Sequence, residues 1–203
     1  GMVKKTHPKT KLNIDTPSGR LQATAHLENQ NVKKVSFQNT TAFVYKKDLE
    51  IELPEYGKIE VDIVFGGNFF VILDVEKIKI PIVKENVPAL ANLQTSILKA
   101  ANQVISVQHP IEKDINYLDQ VLFVEESRDP EIGYMAQCIF GNRQPDDSPC
   151  GTGTCARMAR RMASKELKLN QTFKQLNVTD SGAFLGKLIS KEPIGPFEGY
   201  VPQ

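Results

Sequence analysis

The stretch Asp146-Asp147-Ser148-Pro149-Cys150-Gly151-Thr152-Gly153-Thr154 combines a nucleophile, an acid and a backbone suited to close approach. Pro149 stiffens the chain entering Cys150. Gly151 and Gly153 remove side chains, so a ligand can reach the main chain. A helical pattern follows at once, and the first N–H groups of a helix have no helical acceptor. With the positive end of the helix dipole they make a carboxylate or phosphate site. The same field favours the Cys150 thiolate. A thiolate beside an anion site can act as a nucleophile or as a proton acceptor. Asp146 is a candidate partner for a substrate ammonium group. The plainer alternative is a buried structural cysteine in a glycine-rich turn. The coincidence of a proline, two glycines, an acid and a helix favours chemistry.

Other chemistries fit less well. No lysine follows the second glycine, so the stretch is not a nucleotide P-loop. Cys138, Cys150 and Cys155 lack paired C-x-x-C spacing, which argues against a zinc site and against dithiol redox chemistry; no metal is expected. Cys138 sits in an apolar run and Cys155 one turn into the helix, so both read as packing residues. A Cys150–His109 pair would suggest a thiol hydrolase, but no third orienting residue is evident. His7 and His26 read as surface residues. Gly66-Gly67-Asn68 reads as a tight bend rather than a ligand loop. Arg157, Arg160 and Arg161 read as a solvated helix face.

The elements that must position these residues follow from periodicity. The chain has 203 residues with 25 Lys plus Arg and 24 Asp plus Glu. This near-balance argues against a polyanion binder, hence no nucleic-acid partner. No apolar run reaches the ~20 residues of a membrane span, and no secretory signal opens the chain, so no membrane partner and a cytoplasmic location are expected. Gly1 before Met2 reads as a tag scar, with Met2 as a reading-frame start. Residues 2–12 read as a polar lead-in, and Asp15-Thr16-Pro17-Ser18-Gly19 as a turn. Short strands follow from Leu21 to Leu73, and the apolar run Phe69–Leu73 reads as a strand buried on both faces. The period changes at Val87-Pro88, where a helix carries Leu90, Leu93, Ile97 and Ala101 on one face. Strands are expected at 121–124, 134–140, 173–178 and 183–190, with a turn at Arg128-Asp129-Pro130. A second helix is expected from about Thr154 to Leu167, and a Pro- and Gly-rich tail from Glu192. Many strands around two helices imply an α+β class: a strongly bent, barrel-like, mostly antiparallel sheet wrapped on a central helix.

The run from Asp146 through Ser148-Pro149-Cys150-Gly151-Thr152-Gly153-Thr154 to Ala156-Arg157-Met158-Ala159 resembles the second active-site motif of the proline racemase family. That family includes proline racemases, hydroxyproline epimerases and a hydroxyproline dehydratase. Asp15-Thr16-Pro17-Ser18-Gly19, Val61-Asp62 with Phe65-Gly66-Gly67-Asn68-Phe69, and Phe140-Gly141-Asn142-Arg143-Gln144 look like family segments in family order. The resemblance implies two cysteines on opposite sides of the substrate α-carbon. One removes the α-proton and the other returns a proton from the far face, without a cofactor. By position it makes Cys150 one base and Gly151 and Thr152 the donors to the substrate carboxylate. Asp146 would contact the substrate nitrogen, and Phe140 would wall the pyrrolidine ring.

The departures from the family pattern matter as well. Family chains carry a first catalytic cysteine in a Met-Cys-Gly-His-Gly-like segment upstream of the Thr-Pro-x-Gly turn, and no such segment occurs here. The family fold has two similar lobes. The resemblance therefore divides the chain into residues 1–19 as a first-lobe remnant and linker, 20–190 as the cysteine-bearing second lobe, and 191–203 as a tail leading back. A small amino acid of the proline or hydroxyproline type is the expected partner. The face left open by a missing lobe suggests a homodimer. Three readings stand: half of a two-base isomerase site, inactive alone; a non-catalytic remnant that binds a small carboxylate; and a hydroxyproline dehydratase-like lyase.

Overall fold

The computed structural model of the chain describes residues 3–125, 133–179 and 182–203. Gly1-Met2 and the expected turn at Arg128-Asp129-Pro130 lie outside them. Strands β1 (Lys9–Thr16), β2 (Gly19–Glu28) and β3 (Asn31–Gln38) form a three-stranded antiparallel sheet. The predicted turn closes its first hairpin: Thr16 pairs with Gly19, whose φ of +119° suits glycine. β1 occupies part of the expected polar lead-in. Its residues are mostly exposed, so main-chain pairing rather than an apolar face makes it a strand. A boundary at residue 19 falls inside this hairpin.

The larger sheet has ten strands among the described residues. They are β4 (Ala42–Leu53), β5 (Gly57–Phe65), β6 (Phe69–Asp74), β7 (Leu118–Glu125), β8 (Tyr134–Phe140), β9 (Gln144–Pro145), β10 (Phe173–Leu176), β11 (Phe184–Gly186), β12 (Leu188–Ile194) and β13 (Phe197–Pro202). Their order is β11-β10-β8-β7-β6-β5-β4-β13-β12, with β9 beside β8. Only β6–β7 and β8–β10 among these pairings are parallel. β11 and β12 stand at opposite ends of this order, yet only Lys187 separates them in the chain. The two ends must therefore meet, and the sheet curls into a nearly closed barrel. Lys187 and Gln203 exchange two main-chain hydrogen bonds of 2.9 Å that extend the β12–β13 ladder up to this junction.

Two helices cover the two faces of the sheet. Odd-numbered residues Ile59, Val61, Ile63, Phe65, Phe69, Val71, Leu73, Val121 and Phe123 share one apolar core with Leu90, Ile97 and Ala101 of α1 (Val87–Val104). Even-numbered Val64, Phe70, Ile72, Leu122, Val124, Ala136 and Cys138 share the other with Cys155, Ala156, Met158, Ala159 and Met162 of α2 (Gly151–Ala163). Strands packed on both faces read as continuous apolar runs, as Phe69–Leu73 does. α2 touches β4, β5, β6, β11 and β13, drawn from most of the way around the barrel. It is the enclosed helix. α1 matches its predicted start, and α2 begins three residues earlier than expected. The glycines that suggest a loop sit in its first turn, where a missing side chain costs little. It ends at Ala163 rather than Leu167, because Lys165 turns into the left-handed region at φ +63°.

The C-terminal stretch is strand, not tail. β13 lies between β4 and β12, and Gly195 makes the hairpin turn at φ +57°. Pro193 is tolerated because β12 ends the strand order and its outward N–H groups need no partner. The expected strand over 183–190 is split into β11 and the start of β12 by Lys187. No helix among the described residues is long and apolar enough to cross a membrane.

The three arginines of α2 do not form a solvated face. Arg157 is buried, donates from Nη1 to Met135 O at 2.7 Å and from Nη2 to Glu125 O at 2.8 Å, and lies over the stacked rings of Tyr134 and Phe173. Burial lowers its pKa, but a guanidinium stays charged at neutral pH. Arg161 is also buried, over Tyr134 and 3.3 Å from Glu166. Arg160 is partly exposed and pairs with buried Asp62 at 2.9 Å. Carbonyls, rings and carboxylates replace water around these charges. Arg157→Met keeps the length but strands two buried carbonyls. It is expected to lower stability by roughly 2–4 kcal/mol, measured by urea unfolding; a loss under about 0.5 kcal/mol would show that the strut is dispensable.

Candidate active site

The site is built where β8 runs through a turn into α2. β9 folds back on β8, pairing Pro145 with Ile139 and Gln144 with Phe140. The turn needs left-handed residues, supplied by Gly141 (φ +51°) and Arg143 (φ +61°). The fold-back sets Asp146 beside Cys138: the Asp146 N–H donates to Cys138 O at 2.9 Å. The Gln137 amide ties the pair together, donating to Cys138 O at 3.1 Å and to Asp146 O at 3.0 Å. Asp146 Oδ1 then accepts from Ser148 N at 2.8 Å, and Ser148 Oγ accepts from Cys150 N at 3.1 Å. Gln175 of β10 holds the Pro149 carbonyl at 2.7 Å.

Cys150 caps α2 from a conformation that side chains rarely adopt, φ +61° and ψ +103°. This orientation lets its sulfur accept from Gly153 N–H at 3.3 Å, while its carbonyl accepts from Thr154 N–H at 2.8 Å. The N–H groups of Gly151 and Thr152 remain, ahead of any helical acceptor. Thr152 Oγ1 lies 3.8 Å from the sulfur. Gly153 has to be glycine: a Cβ there would lie 2.9 Å from Cys150 Sγ and 3.1 Å from Leu122 Cδ1. Gly66 seats the helix. Its Cβ would fall 2.3 Å from Thr152 O and 2.4 Å from Ala156 N, so any side chain would push α2 off the sheet. The Gly66-Gly67-Asn68 bend therefore fixes the height of the site, beyond joining β5 to β6.

Cys138 is more than a packing residue. The donor atoms of Cys138, Asp146 and Cys150 all lie within 4.8 Å of one another. The neighbouring Cys138 thiol is the largest influence lowering the Cys150 pKa; the Gly153 N–H and the Thr152 hydroxyl act in the same direction. Burial and the Asp146 charge oppose them. Cys138 moves the opposite way, well above an ordinary thiol, through the same contact and its burial. The two shifts run in opposite directions, so Cys150 is the member of the pair that gives up its proton first. Cys138 is 2% exposed and Cys150 6%. Cys155 is fully enclosed near the Asn39 amide, and burial pushes its pKa up to about 12.

The remaining sequence candidates fall into place. Phe140 packs against the α2-side core, on the same face of β8 as Cys138. Phe37 and Phe184 escape the sequence reading, yet their rings lie 3.8 Å from where a Gly151 Cβ would sit. They are 41% and 37% exposed, an apolar rim on either side of the helix start. Exposure of an aromatic on a strand is visible only in three dimensions. His109 belongs to the other face. Its ring packs on Phe43 and Phe65 in the α1-side core, and its Nδ1 accepts from the N–H groups of Ile111 and Glu112. The sheet separates it from Cys150, which removes the basis for a thiol hydrolase. His26 bonds Ser36 on β2 and β3, and His7 is exposed. A cleft of about 360 Å³ on the three-stranded sheet, lined in part by Lys11, Gln22 and Phe37, contains none of the cysteines.

The thiol arrangement makes a reactivity prediction. Iodoacetamide should label Cys150 ahead of Cys138 and Cys155, with a pH midpoint below that of an ordinary thiol. Removing the neighbouring thiol in Cys138→Val should move that midpoint up. Mass mapping of labelled peptides across pH checks both, and preferential labelling of Cys138 in the parent chain would refute the assignment.

Comparison with known proteins places this geometry. A family model described as proline racemase matches residues 1–203. The proline racemase of Acetoanaerobium sticklandii is 35% identical over 204 residues, covering 100% of this chain and 61% of that protein. A trans-3-hydroxy-L-proline dehydratase of Bacillus cereus is 32% identical over 203 residues, covering 100% of this chain and 60% of that protein. Among solved structures, a hydroxyproline epimerase from Agrobacterium vitis with bound trans-4-hydroxy-L-proline superposes with a TM-score of 0.93. It is 25% identical, over 100% of this chain and 57% of that one. The chain thus spans about three fifths of the length of these relatives. With the family model matched from end to end and the fold shared, the chain belongs to the proline racemase family.

Proposed function

We propose that this chain is the thiolate-bearing lobe of a cofactor-independent racemase or epimerase acting on proline or hydroxyproline. The observation that carries this reading is the Cys150 sulfur at the cap of α2, set beside the N–H groups of Gly151 and Thr152 and rimmed by Phe37 and Phe184. The two N–H groups receive the substrate carboxylate, and Asp146 faces its ammonium group. Cys150 takes the α-proton, and the N–H groups then hold the negative charge that spreads onto the carboxylate oxygens. Phe140 joins the apolar wall against the ring. Inversion requires a second acid on the opposite face of the α-carbon. Cys138 lies beside Cys150 rather than across a substrate from it, and Cys155 is buried, so neither fills that role. Cys150 then supplies one base of a two-base site, and inversion needs an opposing acid from a second lobe. Three reduced, buried thiols fit a reducing compartment such as the cytoplasm.

A lyase reading draws on the similarity to the dehydratase. One base suffices there: Cys150 would take the α-proton of a 3-hydroxyproline, the released electron pair would form the Cα–Cβ double bond, and the hydroxyl would leave as water on taking up a proton from solvent. The remnant reading, in which the lobe only binds a small carboxylate, predicts binding without exchange.

In deuterium oxide, the chain with L-proline or 4-hydroxyproline should exchange the α-hydrogen on one face only, detected by proton NMR, and Cys150→Ser should abolish it. Polarimetry should show no racemisation. Robust turnover by the purified chain would overturn the half-site. Loss of water from 3-hydroxyproline would favour the lyase, and ligand shifts without exchange the remnant.

A further inference from the structure

We propose that Cys138, Cys150 and Asp146 form a chelating site for one thiophilic divalent cation of the zinc or cadmium type. Among the described residues theirs is the one group of three donors close enough to share an ion. The spacing argument against zinc applies to ligands on one local motif. Here the ligands come from the middle of β8, the end of the β8–β9 fold-back and the cap of α2, and strand pairing brings them together.

Distances favour a metal over a covalent link. Tetrahedral zinc with Zn–S bonds of about 2.3 Å holds two sulfurs roughly 3.8 Å apart. A disulfide needs about 2.05 Å. Donors that already lie within 4.8 Å of one another need to close by at most about 1 Å to grip an ion. The frame that carries them is already bonded. The Asp146 N–H and the Gln137 amide fix Asp146 to Cys138, while Ser148 links Asp146 to the Cys150 main chain.

The donor chemistry selects the ion. Two sulfurs and a carboxylate suit zinc or cadmium, whereas magnesium and calcium prefer oxygen alone. Three protein ligands leave a fourth position for water. Cys138 and Cys150 are buried and Asp146 is only partly covered, so the carboxylate marks the side of entry. The arriving cation displaces to solvent the thiol protons that the pair still holds, and both sulfurs then bind as thiolates. Two thiolates, a carboxylate and a divalent cation together carry one negative charge. Coordination ties up one Cys150 lone pair and lowers the basicity of the sulfur, so the occupied site is a weaker proton acceptor and reacts more slowly with an alkylating agent. The site stands on its ligands alone and holds whether or not Cys150 acts on a substrate.

The test is titration of the chelator-stripped full chain with cadmium, read by the ultraviolet thiolate-to-cadmium charge-transfer band, with zinc as competitor and magnesium as control. The expected result is one equivalent bound, zinc displacement, no response to magnesium, and protection of Cys150 from iodoacetamide. Cys138→Val and Asp146→Asn should each weaken binding at least about 10-fold, and Cys155→Ser should leave it unchanged. Circular dichroism establishes that each variant is folded, and Asp146→Asn keeps the test open if Cys138→Val is not. The proposal is overturned by the absence of the band, by equal affinity in the parent and the folded variants, by loss of the band in Cys155→Ser alone, or by a Cys138–Cys150 disulfide in place of a bound ion.

Discussion

A helix enclosed by its own sheet sets the terms for everything around it. Nine of the thirteen residues of α2 are buried, and strands from most of the barrel touch it. Enclosure leaves no tolerance in height or rotation, which is why Gly66 and Gly153 have no side chains. It also leaves the start of the helix as the place where main-chain donors meet open space. The reactive chemistry collects there because the rest of α2 is committed to packing. Even the charges on the helix serve this end: Arg157 joins the end of β7 to the start of β8, Arg160 pairs with buried Asp62, and Arg161 pairs with Glu166.

Within that frame, the state of Cys150 is decided by a neighbour as much as by the helix. A buried thiolate is unfavourable unless something donates to it. Gly153 donates from the helix, the Cys138 thiol lies beside it on the sheet, and Thr152 lies at the edge. Asp146 acts against the charge, so the carboxylate that could face a substrate ammonium group also limits how far the thiolate is favoured.

Much of this is legible in the sequence, for reasons that differ by element. The alternation over Ile59–Phe65 and the apolar run Phe69–Leu73 announce strands because both reflect burial on fixed faces. The Pro-Cys-Gly-Thr-Gly run announces a helix-start site because its chemistry is local. Cys138 reads as packing because periodicity reports burial and says nothing about which side chains share a cavity; the β8–β9 fold-back decides that. Arg157 reads as solvated because charge normally needs water, and only assembly brings two carbonyls and two rings to replace it. The last strands read as a tail because Pro193 and Gly195 look like breakers, although one sits on an edge strand and the other in a hairpin turn.

The one-residue step between β11 and β12 has a consequence for the order of events in folding. Strands neighbouring in sequence, such as β4 to β6, can pair early and cheaply. The barrel cannot close until the chain turns from β11 into β12 at Lys187, and β13 must slot between β12 and β4, more than a hundred residues upstream. Contacts of such sequence separation are slow to form, because a long loop must be closed before they gain anything. Until that moment α2 has one flank uncovered. The last twenty residues of the chain thus decide when the nascent barrel ceases to be an open, adhesive sheet.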